Sequence, residues 1–337
     1  MDGKHHESKV KKASGFSWRG LRTIVFILTA IIFFTGLTGC NSKDEKEKAP
    51  KVTIRVSGAW ALYPMMVKWA EEYSKINPKI RLDISAGGAG KGVADTLSNL
   101  VDIGMVSRDL KPEEIKQGAV FIPVVKDAVF PTLNADNPEL KRIMEKGIKR
   151  QTFIDLWIKG RQMSWGEITG SSKRDMVQVY TRSDSCGAAE TWAQYLGGKS
   201  QEDLKGIAVY SDPGLADAVR KDINGIGYNN LNYAFDSKTG LPVKGLMVIP
   251  IDINEDGKIE SKEEIDTRQK AMNAVASGVY PSPPARALHI VTKGHFKDEV
   301  KTFLEWALTD GQKFVDEAGY IKLSENQIKE AIDKIKR

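Results

Sequence analysis

From residue 51 onward, apolar and polar positions repeat as strand, turn, helix. VTIRVSG (52–58) alternates and is rich in β-branched side chains, which predicts a half-buried strand. YPMMVKWAEEYSKINP follows, with Met66, Trp69, Ala70 and Tyr73 on one face at helical spacing. Pro64 suits a first helical turn, and Asn77-Pro78 marks the stop. IRLDISAGG predicts a second strand ending in glycines, GVADTLSNL (92–100) a second helix with Val93, Leu97 and Leu100 inward, and VDIGMVS a third strand. Such alternation predicts an α/β fold with a parallel or mixed sheet.

The apolar run VFIPVVKDAVFPTLNAD (120–136) is too long for one typical strand and is interrupted by Pro123 and Pro131. It predicts two strands passing from one lobe to another. VQVYTRS reads as a strand, ARALHIVTKG (285–294) as a return crossing, and VKTFLEWALTDGQKFVDEAGY as closing helices.

Three places share one physical design: SGAWALYP, SAGGAGKG and RSDSCGAAE. In each a strand ends in small residues and a helix begins at once. Helix starts carry unpaired N–H groups and a partial positive charge, and small residues let an anion approach the backbone. One such turn alone is more simply a tight strand-to-helix connection; three together, one carrying Arg182, point to an anion site beyond the strand ends. GGAGKG is neither a phosphate-cradling Walker loop, because Gly92 follows Lys91, nor a dinucleotide fingerprint.

SGAWALYPMMVKWAEEY, SAGGAGKGVADTLSNLVDIGMVSRDL, YTRSDSCGAAETWAQYL, GIGYNNLNYAF, YPSPPARALHIVTKG and WALTDGQKFVDEAGYIKL occur in an order that resembles the phosphate-binding proteins of ABC transporters. The resemblance covers roughly residues 52–324. It implies a two-lobed type II periplasmic-binding-protein fold, each lobe a mixed sheet flanked by helices. It places phosphate between the lobes, held by backbone N–H groups, hydroxyls and one arginine. It assigns Ala61 and Leu62 to the anion in the first loop. It sets Ala89 where a serine is usual, and Ser107 where an aspartate or serine occurs. Arg182 matches the arginine, and Cys186, Gly187 and Ala188 stand where Ser-Gly-Thr is usual.

The departures keep the cargo open. Ala89, Cys186 and Ala188 replace three hydroxyls, and each hydrogen bond lost to a charged group is worth roughly 1.5–3 kcal/mol. Backbone donors and Arg182 remain for phosphate, another oxyanion or a small organic anion. Trp60 offers an apolar lip or, more simply, a core or surface side chain. A thiol-enzyme reading would rest on Cys186, whose pKa a helix N-terminus and Arg182 would lower. It lacks a positioned base, since only His289 and His295 lie in the exported part. The simpler reading is a small semi-polar substitute for serine, and no catalytic residue is assigned.

DINEDGKIESKE (252–263) has the spacing of a calcium loop. Asp252, Asn254 and Asp256 occupy positions one, three and five, Gly257 the turn, Lys258 the carbonyl position, Ile259 the apolar eighth and Glu263 the twelfth. A polar surface hairpin is the plainer alternative. A strand precedes the loop, so a single structural Ca²⁺ loop is expected, not a paired EF-hand.

The net charge of +6 suggests an anionic partner, but residues 1–39 carry six basic against two acidic side chains and so hold most of the excess. No basic stripe with interleaved aromatics supports nucleic-acid binding. That basic segment precedes the short apolar run IVFILTAIIFFTGL and then LTGC, which resembles a bacterial lipobox and predicts lipidation at Cys40. Cys186 is then the only free thiol. The expected layout is a signal peptide over 1–39, a tether over 40–50, one lobe over 51–127 plus 286–337, and a second over 128–285. The expected protein is a lipid-anchored, monomeric solute-binding protein that closes on its anion and docks on a membrane permease. A signalling or adhesion module on the same fold is the alternative.

Overall fold

The 16-residue strand β4 (Ala119–Asn134) is the spine of the fold. The computed structural model describes residues 52–336, so Cys40, the apolar run before it and the whole tether lie outside the described residues. Three strands precede the spine: β1 (Val52–Gly58), β2 (Ile80–Ala86) and β3 (Ile103–Val106). β2 and β3 flank β1 in parallel. After the spine come β5 (Ile148–Lys149), β6 (Gln178–Arg182), β7 (Ile207–Val209), β8 (Gly225–Asn230), β9 (Leu246–Val248), β10 (Ile251–Asp252) and β11 (Ala285–Lys293). One mixed sheet runs β2-β1-β3-β11-β4-β8-β6-β7, with β9 also on β4; β5 and β10 form a separate parallel pair.

The run 120–136 is therefore one strand and not two. Pro123 is tolerated because the register with β11 shifts between Leu288 and His289, which pairs His289 with Pro123 and leaves Val124 as the bulged residue. Pro131 sits one position before β9 takes up its side of the strand, and its carbonyl accepts from Ile249 N at 2.9 Å.

The described residues form one compact unit that carries two apolar cores. The first gathers Ile54, Val56, Trp69, Ile122, Leu288 and Phe303, and the second Phe130, Trp157, Trp192, Tyr228 and Phe235. β4 contributes to the first up to Val125 and to the second from Ala128. Helix α1 (Tyr63–Ile76) buries Met66, Trp69 and Tyr73 against the first core, as its periodicity predicts, together with Met65, while Ala70 of the expected face is only half-buried; Trp69 Nε1 donates to Gly311 O at 3.0 Å. Helix α2 (Ala89–Leu97) begins and ends three residues earlier than its pattern suggests. The glycine turn lets it start directly after β2, and Asn99 at φ 57° ends it, so Leu100 is exposed and not inward. Among the described residues no helix is long and apolar enough to cross a membrane.

Where the two cores meet, Asp127 on β4 faces Arg286 on β11 as a register partner. Asp127 is buried and Arg286 half-buried, and Arg286 Nη1 lies 3.4 Å from Asp127 Oδ2. Burial pushes the Asp127 carboxyl up to about 6 even though Arg286 pulls the other way. Its folded pKa lies above its unfolded value, so the folded state holds the extra proton. The group therefore favours folding below about pH 4 and loses that contribution as pH rises towards about 6. The stability difference between wild type and Asp127→Asn should fall over that window by up to about 3 kcal/mol. Urea unfolding across pH 4–7 measures it, and a difference independent of pH would contradict the assignment.

Candidate functional site

The three small-residue turns meet. β1 ends at Gly58, whose carbonyl accepts from Gly87 N and Gly88 N at 2.9 and 3.0 Å, so the second turn is tied to the first. Gly58 is at φ 135°, and a side chain there would overlap the Met105 carbonyl, so glycine is required. A one-turn helix, Trp60–Leu62, then buries Ala61 and Leu62. The Ala61 carbonyl accepts from Tyr320 Oη at 2.6 Å. Ala89 is the first residue of α2 and is fully buried.

The third turn approaches from the second core. β6 ends at Arg182, Cys186 caps helix α3 (Gly187–Tyr195), and Gly187 and Ala188 are its first two residues. Gly90 N of α2 donates to Ser185 O at 3.2 Å, and Tyr233 Oη donates to Trp60 O at 3.2 Å, so both contacts join the two cores. Gly187 lies against Ser107, where a Cβ would overlap the Ser107 carbonyl and hydroxyl. The second and third turns thus meet each other and Ser107 at a seam between the cores, while Ala61 and Leu62 are buried in the first core. Trp60 stands beside them, with Tyr63 and, across the seam, Tyr210, each ring centroid 6.4 Å away.

The electrostatics are set by a buried chain of charges. Arg182, whose side chain is wholly buried, grips Asp184 bidentately, Nε to Oδ1 at 2.8 Å and Nη2 to Oδ2 at 2.6 Å. Its Nη1 lies 2.9 Å from Asp212 Oδ2 but off the N–H direction, so this ion pair has no hydrogen bond. Asp212 opens helix α4 (Asp212–Lys221) and accepts from Asn230 Nδ2 at 2.6 Å. Asn230 Oδ1 in turn accepts from Arg286 Nη2, and Arg286 Nε donates to Ser107 O at 3.1 Å. Sequence reasoning found Arg182 and Ser107 but missed Asp184, Asp212, Asn230 and Arg286. The signals for them were an Asp two residues after the arginine, the helix-opening Asp212-Pro213, and Arg286 inside the return strand; their partnership is tertiary.

Buried donors remain unsatisfied here: Arg182 Nη1, Arg286 Nη1 and Trp60 Nε1. Among the described residues the N–H groups of Ala89, Gly187 and Ala188 also have no hydrogen-bond partner. Several N–H donors left without partners where helices begin is an arrangement that accepts oxyanion oxygens.

Cys186 behaves oppositely to the thiol-enzyme expectation. Burial pushes its thiol up to about 12, and Arg182 does not offset this. The neutral Sγ accepts from Ala189 N at 3.4 Å, the role of a serine helix cap. His289 packs on Phe121, and burial lowers its pKa. The metal candidates do not converge: among the described residues no three His, Cys, Asp or Glu side chains are gathered at metal-holding distance. Asp252 and Glu263 are buried, while Asn254, Asp256 and Lys258 are exposed.

A protonated, buried thiol should resist alkylation. Native protein at about pH 8, below the raised thiol pKa, should take up no iodoacetamide at Cys186 by mass spectrometry and should be labelled once unfolded. Prompt labelling of the native protein would contradict the burial account.

Comparison with known proteins places this geometry. A family model described as a PBP superfamily domain matches residues 44–311. The phosphate-binding protein PstS of Pseudomonas aeruginosa is 28% identical over 85% of this chain and 90% of its own length. PstS of Methanocaldococcus jannaschii is 24% identical, covering 94% and 95%. A putative phosphate ABC transporter substrate-binding protein from Clostridium perfringens, solved with bound phosphate, superposes with a TM-score of 0.65. It is 21% identical over 81% of this chain and all of its own. With the matched region spanning most of the sequence, the chain belongs to the PBP superfamily, the periplasmic binding proteins.

Proposed function

We propose that this protein is the extracytoplasmic solute-binding component of an ABC importer. It holds phosphate or a similar oxyanion in the seam between the two cores and delivers it to a membrane permease. The observation that carries the reading is the set of buried, unsatisfied donors around Arg182 and the first turns of α2 and α3. An anion bound there supplies the acceptors that this seam lacks. The resemblance to PstS proteins, one of whose structural relatives holds phosphate, supports the same cargo. The sequence around Cys40 supports lipid anchoring at the outer face of the cell membrane, with 41–50 as the tether. The protein acts as a monomer.

The proposed binding residues are Ala61, Ala89, Gly187 and Ala188 through their backbone N–H groups, Ser107 through its hydroxyl, and Arg182 through the one nitrogen not engaged by Asp184; Leu62, whose N–H donates to Ala59 O at 3.1 Å, is already satisfied within its own turn and shapes it. Cys186 orients the helix start and makes no bond to a substrate. No chemistry is performed, and the thiol-enzyme reading fails on the protonated, buried thiol and on family membership.

Calorimetric titration with phosphate, sulfate, tungstate and molybdate tests this. One oxyanion should bind saturably at a 1:1 ratio. Arg182→Lys keeps the charge but loses the planar fork, and should weaken binding by roughly 10–100-fold, the equivalent of one charged hydrogen bond. Silence for all four anions, or unchanged affinity in Arg182→Lys, would overturn the proposal.

A further inference from the structure

We propose that the loop from Asp252 to Glu263 is a Ca²⁺ site, with the ion fastening the edge of the second core. The spacing of its oxygen-bearing residues is that of a calcium loop, and the structure adds an observation independent of that spacing. Asp252 is 1% exposed and its Oδ1 is buried with no hydrogen-bond partner. The same carboxylate accepts from Gly257 N at 2.9 Å through Oδ2, so it faces the middle of the loop. A buried carboxylate oxygen without a partner is costly, and a cation inside the loop would complete it.

The other end of the loop is arranged compatibly. Glu263 is 3% exposed, and its two oxygens accept only loop amides, Ile253 N at 3.2 Å and Glu260 N at 3.1 Å. Neither Asp252, Asp256 nor Glu263 forms an ion pair within 4.0 Å among the described residues, although Lys262 nearby pairs with Glu260. These three carboxylates, and Glu255 beside them, are thus left without a cation, and Asp252 and Glu263 are out of water. The loop is also anchored to its surroundings. Ile259 N donates to Glu145 O at 3.2 Å, Lys149 Nζ donates to Glu255 O, and Asp252 pairs with Lys149 across β10 and β5.

The carboxylates do not yet share a point, because Asn254 Nδ2 is turned onto Asp256 Oδ2 at 3.2 Å in the exposed half of the loop. Binding therefore turns Asn254 and Asp256 inward onto the fixed pair Asp252 and Glu263, with the Lys258 carbonyl completing the set. Gly257, at φ 80°, already has the turn this requires. A loop with hard oxygen ligands that is open to solvent on one side suits Ca²⁺, which accepts six to eight ligands in irregular geometry, over Mg²⁺, which demands a strict octahedron. The loop shares no hydrogen bond with the anion-site residues, so the ion is structural.

The test uses the whole exported protein after treatment with a chelator. Titration with CaCl₂ should show one saturable site with Kd of about 10⁻⁵ to 10⁻³ M, and the melting temperature should rise by roughly 3–6 °C at about 5 mM Ca²⁺. MgCl₂ should give little or no rise. Asp256→Ala alters an exposed side chain and should fold normally, yet weaken Ca²⁺ binding by at least about tenfold; Glu263→Gln should abolish it. The proposal is overturned by absence of heat and of melting shift up to about 10 mM Ca²⁺, by an equal rise with Mg²⁺, or by a rise that Asp256→Ala retains in full.

Discussion

The seam between the cores depends on one largely buried chain of charged and polar groups, Asp184–Arg182–Asp212–Asn230–Arg286–Ser107, with Asp127 branching from Arg286. Each member is held by the next, and each cation has carboxylate neighbours. Removing a single partner from such a network leaves an uncompensated buried charge, which is far more damaging than the net worth of any one pair. The chain starts beside the turn that opens α3 and ends at the carbonyl after β3. It therefore ties the anion turn of the second core to the end of a strand of the first. Gly187 lies against Ser107 because this chain brings the two backbones together and because glycine leaves room.

The same chain bears on selectivity. Arg182 spends two of its nitrogens on Asp184 and presents only Nη1 towards the seam, near a second carboxylate. A guanidinium so neutralised attracts anions weakly at long range and recognises them mainly by hydrogen-bond geometry. With Ala89, Cys186 and Ala188 in place of hydroxyls, specificity passes to backbone N–H groups, which any tetrahedral oxyanion of the right size satisfies. Affinity then depends on how fully closure removes water from the seam.

Much of this was legible in local sequence, where the physics is local. Helix α1 was marked by Pro64, a four-residue apolar face and Asn77-Pro78, and the three turns by small residues after alternating strands. What was not legible depended on partners distant in the chain. β4 looked broken by prolines, because the bulge that accommodates Pro123 is supplied by β11. Cys186 was read as a small substitute for serine, and only the thiol-enzyme alternative took its pKa as lowered by the helix start and Arg182, its sequence neighbours; the burial that reverses that effect comes from the packed second core. Leu100 looked inward, because periodicity does not show where a helix frays. Arg286 looked like an unremarkable residue of a return strand, and only pairing with β4 places it at the centre of the charge chain.

The most direct test of the account is a crystal structure grown at saturating phosphate. It should show a tetrahedral ion at about 2.7–3.1 Å from Arg182 Nη1 and from the N–H groups of Gly187 and Ala188, with the Arg182–Asp184 pair unbroken. A closed seam without the ion, or an ion held only by exposed lysines elsewhere, would contradict the claim that this charge chain exists to complete an anion site.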